Sequence, residues 1–445
     1  MLRDAWTLAI ETLSWIELQR LGERLALAKA TKQLGIKDPK VLGLAHKLVF
    51  ETLRRQNLID SVINTVLAPR ALSDFKMGPQ AFLRLFTYEV KFESGDAEKA
   101  ALIARTGRSI LGWRELNEIE EVLGKILTTQ INDIVKKASD EERVALQTFN
   151  PTWFVRYCFR MLGRSEALKF LTSATEPSPT YLRLNTLTTS ENDVLKKLKD
   201  EGVIVEKEPQ LKHTFRVVKS KKPLVRTLSF QEGLFYIQDK ASCLAAEIAN
   251  PKAGMTVLDV CAAPGAKTTY MAQLMKNQGN IYSVDYSRRR MNVWKRETQR
   301  MSVKIATPVV ADACNPLSLR LEADLVVLDP PCTSTGAFSK MPSAKWRLTK
   351  RSVAHMAEVQ WSMLNNCAEH VKENGFLVYS TCSITLEENE MLIEKFLKWH
   401  PDFVLTETSP KIGVSGFRGQ RQCQRLYPHI HHCNGFFIAK LVRQT

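Results

Sequence analysis

A chain of 445 residues holds two to four domains at roughly 100 to 200 residues each, with a sizeable buried core. Its 44% apolar and 25% charged composition excludes wholesale disorder, collagen and coiled coil, and nine cysteines are too sparse for a disulfide-stapled secreted scaffold. The net charge of +16 is uneven: residues 1–150 carry 22 basic and 20 acidic side chains, 151–240 carry 16 and 10, and 241–445 carry 25 and 17. A positive excess suits a polyanionic partner through counterion release, but it equally serves as a solubilising surface, so charge alone decides nothing. No apolar run approaches the roughly 18 residues of a membrane span. Asp4 and Glu11 interrupt the first apolar stretch, so no export signal is read. A soluble, reduced, cytoplasmic protein without a membrane partner is expected.

From Leu2 to about Lys137 the pattern is helical. Trp6, Ile10, Leu13, Trp15 and Leu18 recur at helix spacing, as do Val41, Leu44, Leu48 and Val49, and these positions are expected in a core. Asp38-Pro39 reads as an N-cap with a first-turn proline, Ala68-Pro69 and Gly78-Pro79 punctuate further helices, and Ser94-Gly95-Asp96 reads as a turn. An all-helical domain over 1–145 follows. Over 146–230, a helical run from Trp153 to Leu171, a strand Tyr181–Leu184, a helix from Glu191 to Glu201 and a strand Gly202–Val205 predict a small α+β domain, with Lys219, Lys221 and Lys222 in a basic stretch just beyond these four elements.

Over 231–445 short apolar strands alternate with helix-length segments. Strands are predicted at Thr256–Val260, Asn280–Val284, Thr307–Val310, Asp324–Leu328, Gly375–Tyr379 and Gly435–Leu441. The first five, spaced by helices, predict a Rossmann-like doubly wound parallel sheet, with ligands at the carboxyl ends of its strands. The first strand runs into Cys261-Ala-Ala-Pro-Gly-Ala-Lys267, a small-residue turn that lets backbone approach a ligand, although it is neither a dinucleotide fingerprint nor a Walker loop. Asp285 ends the second strand and Asp312 follows the third, where carboxylates can accept from ribose hydroxyls or simply cap helices. Together they point to a nucleoside-bearing cofactor without a pyrophosphate. The fourth strand ends in Asp329-Pro-Pro-Cys332 and the fifth in Ser380-Thr-Cys382, which predicts two cysteines meeting at one edge of adjacent strands. Such surroundings favour thiolate character, whereas Cys158, Cys243, Cys314 and Cys367 read as buried small hydrophobes.

The strings VLDVCAAPGAKTTYMAQLM, VDYSRRRM, LVVLDPPCTSTG, LVYSTCSITLEENE and GFFIAKL resemble the NOL1/NOP2/Sun family of S-adenosylmethionine-dependent RNA cytosine-5 methyltransferases. The upstream EGLFYIQDKAS fits the same family, residues 151–230 resemble its small RNA-recognition-like domain, and DPKVLGLAHKLVFETLRRQNLID resembles the NusB-like domain of the bacterial Sun-type members. The resemblance implies a class I methyltransferase domain over 231–445, S-adenosylmethionine as cofactor and RNA as partner, with ribosomal RNA favoured and transfer RNA close behind. A monomer without an obligate protein partner is expected.

Cytosine C5 is a poor nucleophile. A thiolate adding to C6 makes an enamine whose C5 can attack a sulfonium methyl, provided charge developing toward N3 and O2 is met by donors. Chemistry alone leaves the roles of the two cysteines open. The resemblance makes Cys382 the nucleophile and Cys332 the residue that assists product release. It puts Asp329 at the base edge near the donor methyl, with Lys267 beside it in the catalytic set. It lays the methionine part of the cofactor along Cys261, Ala262, Ala263, Pro264, Gly265, Ala266 and Lys267, the ribose on Asp285 and the adenine near Asp312, with Arg290 a further candidate. Ala266 replaces a common second glycine, Asn434 replaces the usual acid before Gly-Phe-Phe, and Ile119–Gly124 lacks the Asn-rich pattern through which the helical domain would contact RNA.

Two other readings stand beside this one. An amino-group methyltransferase is suggested by Asp329-Pro-Pro, but that chemistry wants an aromatic where Cys332 stands. A non-catalytic RNA-binding ribosome assembly factor that kept the fold would not require two strand-end thiols. Cys423, His429, His431, His432 and Cys433 match no standard zinc spacing, so no metal is expected. Trp346 can stack a base or anchor a loop.

Overall fold

The computed structural model describes residues 1–93 and 95–445, so Ser94 of the expected turn lies outside the described residues. The chain divides into two compact units, one of Met1–Pro177 with Phe338–Leu348, the other of Ser178–Ala337 with Thr349–Thr445.

The first unit is helical. Its opening helix, Leu2–Gln19, buries Trp6, Ile10 and Leu13 as the spacing predicts, and these pack with Ile59, Val62, Phe82 and Phe86. Leu18, expected in the core, is 61% exposed because the helix ends one residue later and leaves it beyond the packed face. Asp38 caps the helix Pro39–Arg54 by accepting from the Lys40 amide, and Asp96 caps Ala97–Leu111 through Lys99. The run from Trp153 to Leu171 is broken into Thr152–Leu162 and Arg164–Ser173 at Gly163, whose φ is +74°, and both helices pack within this unit. Residues 338–348 also fold here. Lys345 Nζ donates to the carbonyls of Arg54 (3.1 Å) and Phe149 (2.7 Å), and Trp346 Nε1 to that of Leu53 (2.6 Å), so Trp346, on the short helix Pro342–Arg347, anchors this segment.

The second unit contains two sheets. Strands β1 (Tyr181–Leu184), β2 (Val203–Lys207), β3 (Thr214–Ser220) and β4 (Phe235–Ile237) form an antiparallel sheet in the order β2-β3-β1-β4. The helix Glu191–Asp200 covers it with Val194 and Leu198 against Leu182, Leu184 and Phe235. This sheet reaches residue 237, and Lys219 lies within β3 rather than beyond the domain's elements. Its Arg183 is fully buried and donates to Gln238 (3.0 Å) and Thr269 (2.8 Å), which joins the small sheet to the helix Ala266–Leu274 of the larger layer.

The larger sheet has nine strands: β5 (Thr256–Val260), β6 (Asn280–Asp285), β7 (Ala306–Val310), β8 (Ala323–Leu328), β9 (Val371–Thr381), β10 (Phe403–Leu405), β11 (Val414–Ser415), β12 (Gln424–Leu426) and β13 (Phe436–Arg443). Their order is β11-β12-β13-β9-β8-β5-β6-β7, with β10 paired to β13. The pairs joining β7, β6, β5, β8 and β9 are parallel, and β13 is antiparallel to β9. Alternate residues of β5 and β8 enter two different cores: Leu258, Val260, Val326 and Leu328 face one, and Val257, Leu325 and Val327 the other. A sheet covered on both faces explains why these strands read as near-continuous apolar runs. One expectation fails. Residues 311–322 between β7 and β8 form no helix, because Pro316 interrupts the segment and Leu317, Leu319 and Leu321 alternate toward the core as extended chain does. No helix among the described residues is long and apolar enough to cross a membrane.

Candidate active site

The residues singled out in the sequence gather at the carboxyl ends of the parallel strands. After β5 the backbone turns sharply through Cys261, with φ +64°, to Gly265, with φ +109°. A Cβ on Gly265 would lie 3.2 Å from Trp294, so this position admits only glycine without rearrangement. Ala262 and Ala263 are buried, Pro264 is exposed, and Ala266 opens the helix that carries Lys267. The turn meets the end of β6: Asp285 accepts from the amides of Ala263 (3.3 Å) and Ser287 (3.0 Å) and pairs with Arg290 at 3.3 Å, while Arg290 also donates to the Ala263 carbonyl. Cys261, Ala262, Ala263, Gly265, Asp285 and Arg290 are thus one constellation. Asp312 is not drawn into it. Its exposed carboxylate accepts from the Cys314 amide (3.0 Å) and the Asn315 side chain (3.2 Å), so it caps its own turn. Cys261 is no candidate nucleophile, since burial holds its thiol well above the ordinary range.

A second group lies where β8 and β9 end. Lys267 Nζ donates to Asp329 at 2.5 Å, and Ser380 at the end of β9 donates to the other carboxylate oxygen at 3.4 Å. The Lys267 side chain is 7% exposed and that of Asp329 33%, so the pair is partly screened from water. The sulfurs of Cys332 and Cys382 stand 3.2 Å apart, both half-buried. The Ser334 hydroxyl is 3.5 Å from Cys382. The hydrogen bond from Cys332 holds the Cys382 thiol below its usual value, with Ser334 adding to it, against burial and the nearby charges of Asp329 and Glu388. The same bond, with burial, pushes Cys332 well up. Cys382 is therefore the better thiolate of the two. Cys314, read as a buried hydrophobe, is half-buried at the surface of its loop, whereas Cys158, Cys243 and Cys367 are fully enclosed.

Other contributors had no motif to announce them. The Asp259 carboxylate is buried, accepts from Thr268 on one oxygen and, among the described residues, leaves the other without a partner. Burial pushes it up to about 7, with Lys267 opposing and Asp329 and Asp285 adding to the rise. Gly336 donates its amide to the Cys382 carbonyl (2.9 Å) and accepts from the Gly435 amide (2.8 Å). A Cβ at Gly336 would come within 2.0 Å of the Gly435 carbonyl oxygen, so the two glycines let three segments meet behind the nucleophile candidate. The signal lay in the paired Thr-Gly-Ala and Asn-Gly-Phe strings, legible only once β9 and β13 are known to be neighbours.

Comparison with known proteins identifies the family and the fold. Residues 246–442 match the family described as 16S rRNA methyltransferase RsmB/F, residues 150–222 its ferredoxin-like domain, and residues 3–106 the NusB family. A probable ribosomal RNA small subunit methyltransferase B of Bacillus subtilis is 28% identical, over 98% of this chain and 97% of that protein. A tRNA (cytosine(72)-C(5))-methyltransferase of Pyrococcus horikoshii is 36% identical over 48% of this chain and 53% of its own length. Among solved structures, PH0851 superposes with a TM-score of 0.86 at 29% identity, covering 99% of this chain and 98% of that one. NSun6 from Pyrococcus horikoshii with SFG, an S-adenosylmethionine analogue, gives 0.62 at 26% identity over 66% and 98%. With two strand-end cysteines and three matched domains in the same order, this chain belongs to the NOL1/NOP2/Sun family of RNA cytosine-5 methyltransferases.

Proposed function

We propose that the chain transfers the methyl group of S-adenosylmethionine to C5 of a cytosine in RNA, ribosomal RNA before transfer RNA, with Cys382 as nucleophile and Cys332 as the residue that assists release. The observation that carries this reading is the 3.2 Å approach of the two sulfurs beside the Lys267–Asp329 pair. In chain order the protein then comprises a NusB-like helical part, an RNA-recognition-like part that includes β1 to β4 and so runs past residue 230 to Ile237, and the methyltransferase part that follows.

The residues fit the cofactor. The unpartnered buried oxygen of Asp259 suits an ammonium group, and the Asp285 carboxylate keeps acceptor capacity for ribose hydroxyls beyond its present partners. Cys261 to Lys267 supply small side chains and a helix N-terminus along which the methionine part can lie. Asp312 caps its own turn, so an adenine contact there rests on its exposed edge alone. When bound, the cofactor supplies an electrophilic methyl on a sulfonium.

Cys382, deprotonated and held by the Cys332 S–H, adds to C6 of a flipped cytosine, which has to leave its stack to enter the pocket. Asp329 faces the base edge, and Lys267 fixes its carboxylate and limits its charge. C5 takes the methyl group, the C5 proton leaves to a base, and re-forming the C5–C6 double bond expels the Cys382 thiolate. Cys332 stands close enough to assist that last step. Cys382→Ala abolishes turnover and forms no adduct, whereas Cys332→Ala accumulates an RNA-linked species on denaturing gels. An adduct that persists in Cys382→Ala reverses the assignment. Bisulfite readout of treated RNA separates this enzyme from an assembly factor that merely binds.

A further inference from the structure

One side chain outside the catalytic set touches both cysteine-bearing segments. Glu388 is fully buried, six residues beyond Cys382. Its Oε1 accepts from the Thr333 amide (2.8 Å) and Gln360 Nε2 (2.9 Å). Its Oε2 accepts from the hydroxyls of Ser383 (2.6 Å), Thr385 (2.7 Å) and Thr333. Thr333 directly follows Cys332 and Ser383 directly follows Cys382. All five donors are uncharged. Taking a carboxylate out of water without a cation is costly, and only its two acceptor oxygens can serve donors arriving from both sides at once.

The surroundings lock the same two segments. Thr335 Oγ1 lies 2.9 Å from Ser383 Oγ and accepts from the Ile384 amide at 2.8 Å. Asn389 Nδ2 donates to the carbonyls of Ser383 (2.9 Å) and Thr385 (2.7 Å), and the Tyr379 hydroxyl donates to the Glu388 carbonyl (2.7 Å). Gln360 also donates to the Pro331 carbonyl at 2.9 Å, which fixes the residue before Cys332.

We infer that Glu388 is a positioning residue for methyl transfer: as the shared acceptor of the residues following Cys332 and Cys382, it sets the distance and direction of the two sulfurs. The inference rests on the reading of those cysteines given above. Glu388 need not touch RNA or cofactor to act, because a displacement of about 1 Å at a reacting atom is worth about a hundredfold in rate. The groups facing the Cys382 sulfur are Cys332, Ser334, the Lys267-paired Asp329 and Glu388 itself. The Glu388 charge opposes thiolate formation, so its removal leaves a second mark, a shift in the pH dependence.

The test uses the full chain with tritiated S-adenosylmethionine and in vitro transcripts of small-subunit ribosomal RNA and of transfer RNA. Methylation by wild type and none by Cys382→Ala are required first; a wild type inactive on both transcripts, or an active Cys382→Ala, sinks the cysteine reading itself. Glu388→Gln is expected to lower kcat about a hundredfold. Its KM for RNA and its binding of S-adenosylhomocysteine stay unchanged, and the acid limb of adduct formation moves to lower pH. Glu388→Asp, which keeps the charge, recovers part of the rate and leaves the limb in place. Unchanged kcat in Glu388→Gln overturns the inference, and so does a loss that comes with weakened S-adenosylhomocysteine binding and an unmoved limb. If Glu388→Gln does not fold, Ser383→Ala removes one donor from one segment, and a wild-type kcat there overturns the inference equally.

Discussion

The two ends of the strand-end crevice are built from opposite materials. At β5 and β6 the groups are ionic: Asp285 against Arg290 with Asp259 buried behind them, and Lys267, which reaches across to Asp329 at the end of β8. At β8 and β9, apart from that Lys267-paired Asp329, the groups that hold the two thiol-bearing segments are hydroxyls, amides and the Glu388 carboxylate, whose five donors are uncharged. Fixed charges suit an end that must hold a charged, hydroxyl-bearing ligand in one place. Under the proposed mechanism charge appears and disappears on sulfur during one turnover, and neutral donors suit such an end, because a permanent cation there would hold the thiolate too firmly to leave.

The pair that spans the two ends is the most sensitive place to break the contrast. Lys267→Met leaves the Asp329 carboxylate without its cation at the point where the proposed mechanism brings the base edge and the methyl donor together. A loss of about 10²- to 10³-fold in kcat is expected, as for removal of one preorganised electrostatic partner. Asp329→Asn in the Lys267→Met background adds little, because the two act as a unit. Single-turnover methylation measures both, and full additivity would show that the ends work independently.

The thiol end can be probed without touching charge. Cys332→Ala removes the donor that holds the Cys382 thiol down, so the Cys382 pKa rises and the acid limb of adduct formation moves to higher pH. Below that limb the rate falls roughly tenfold for each unit of the shift. Cys332→Ser keeps a donor and leaves the limb near that of wild type. Rapid-quench adduct formation across pH distinguishes the two, and identical limbs would mean that the 3.2 Å contact carries no proton.

The ionic end was largely legible in the sequence, and the neutral end only in part, for one physical reason. A carboxylate after a parallel strand, a small-residue turn and a lysine in the next helix are local signals, readable once the strand is recognised. The donors that converge on Glu388 come from positions 333, 360, 383 and 385, on separate elements. In the sequence, Glu388 is one acid of the Glu387, Glu388, Glu390 run inside the LVYSTCSITLEENE string, where only the cysteine motif is given a role. The segment 338–348 was equally opaque: Lys345 and Trp346 dock on backbone carbonyls of the helical unit, and a carbonyl carries no side-chain signature. Extended chain over 311–322 was misread as helix because its length, not its alternating Leu317, Leu319 and Leu321, was given weight.

The smallest expected effect sharpens the contrast from the ionic side. Asp259 is held by burial at about 7, so near neutrality part of the population carries a proton on that carboxyl. An ammonium group seated on the unpartnered oxygen favours the ionised form and lowers this pKa in the complex. Below about pH 7 the free site therefore binds a proton that the complex must release, and the affinity for S-adenosylhomocysteine falls by up to about tenfold per pH unit. Above that value the affinity is flat. Asp259→Asn cannot titrate and binds more weakly, with no slope across the same range. Calorimetry in buffers of different ionisation enthalpy reads the released proton directly. A slope that survives in Asp259→Asn would move the titrating group away from Asp259, and the ionic end would then owe its selectivity to Arg290 and the turn rather than to the buried acid behind them.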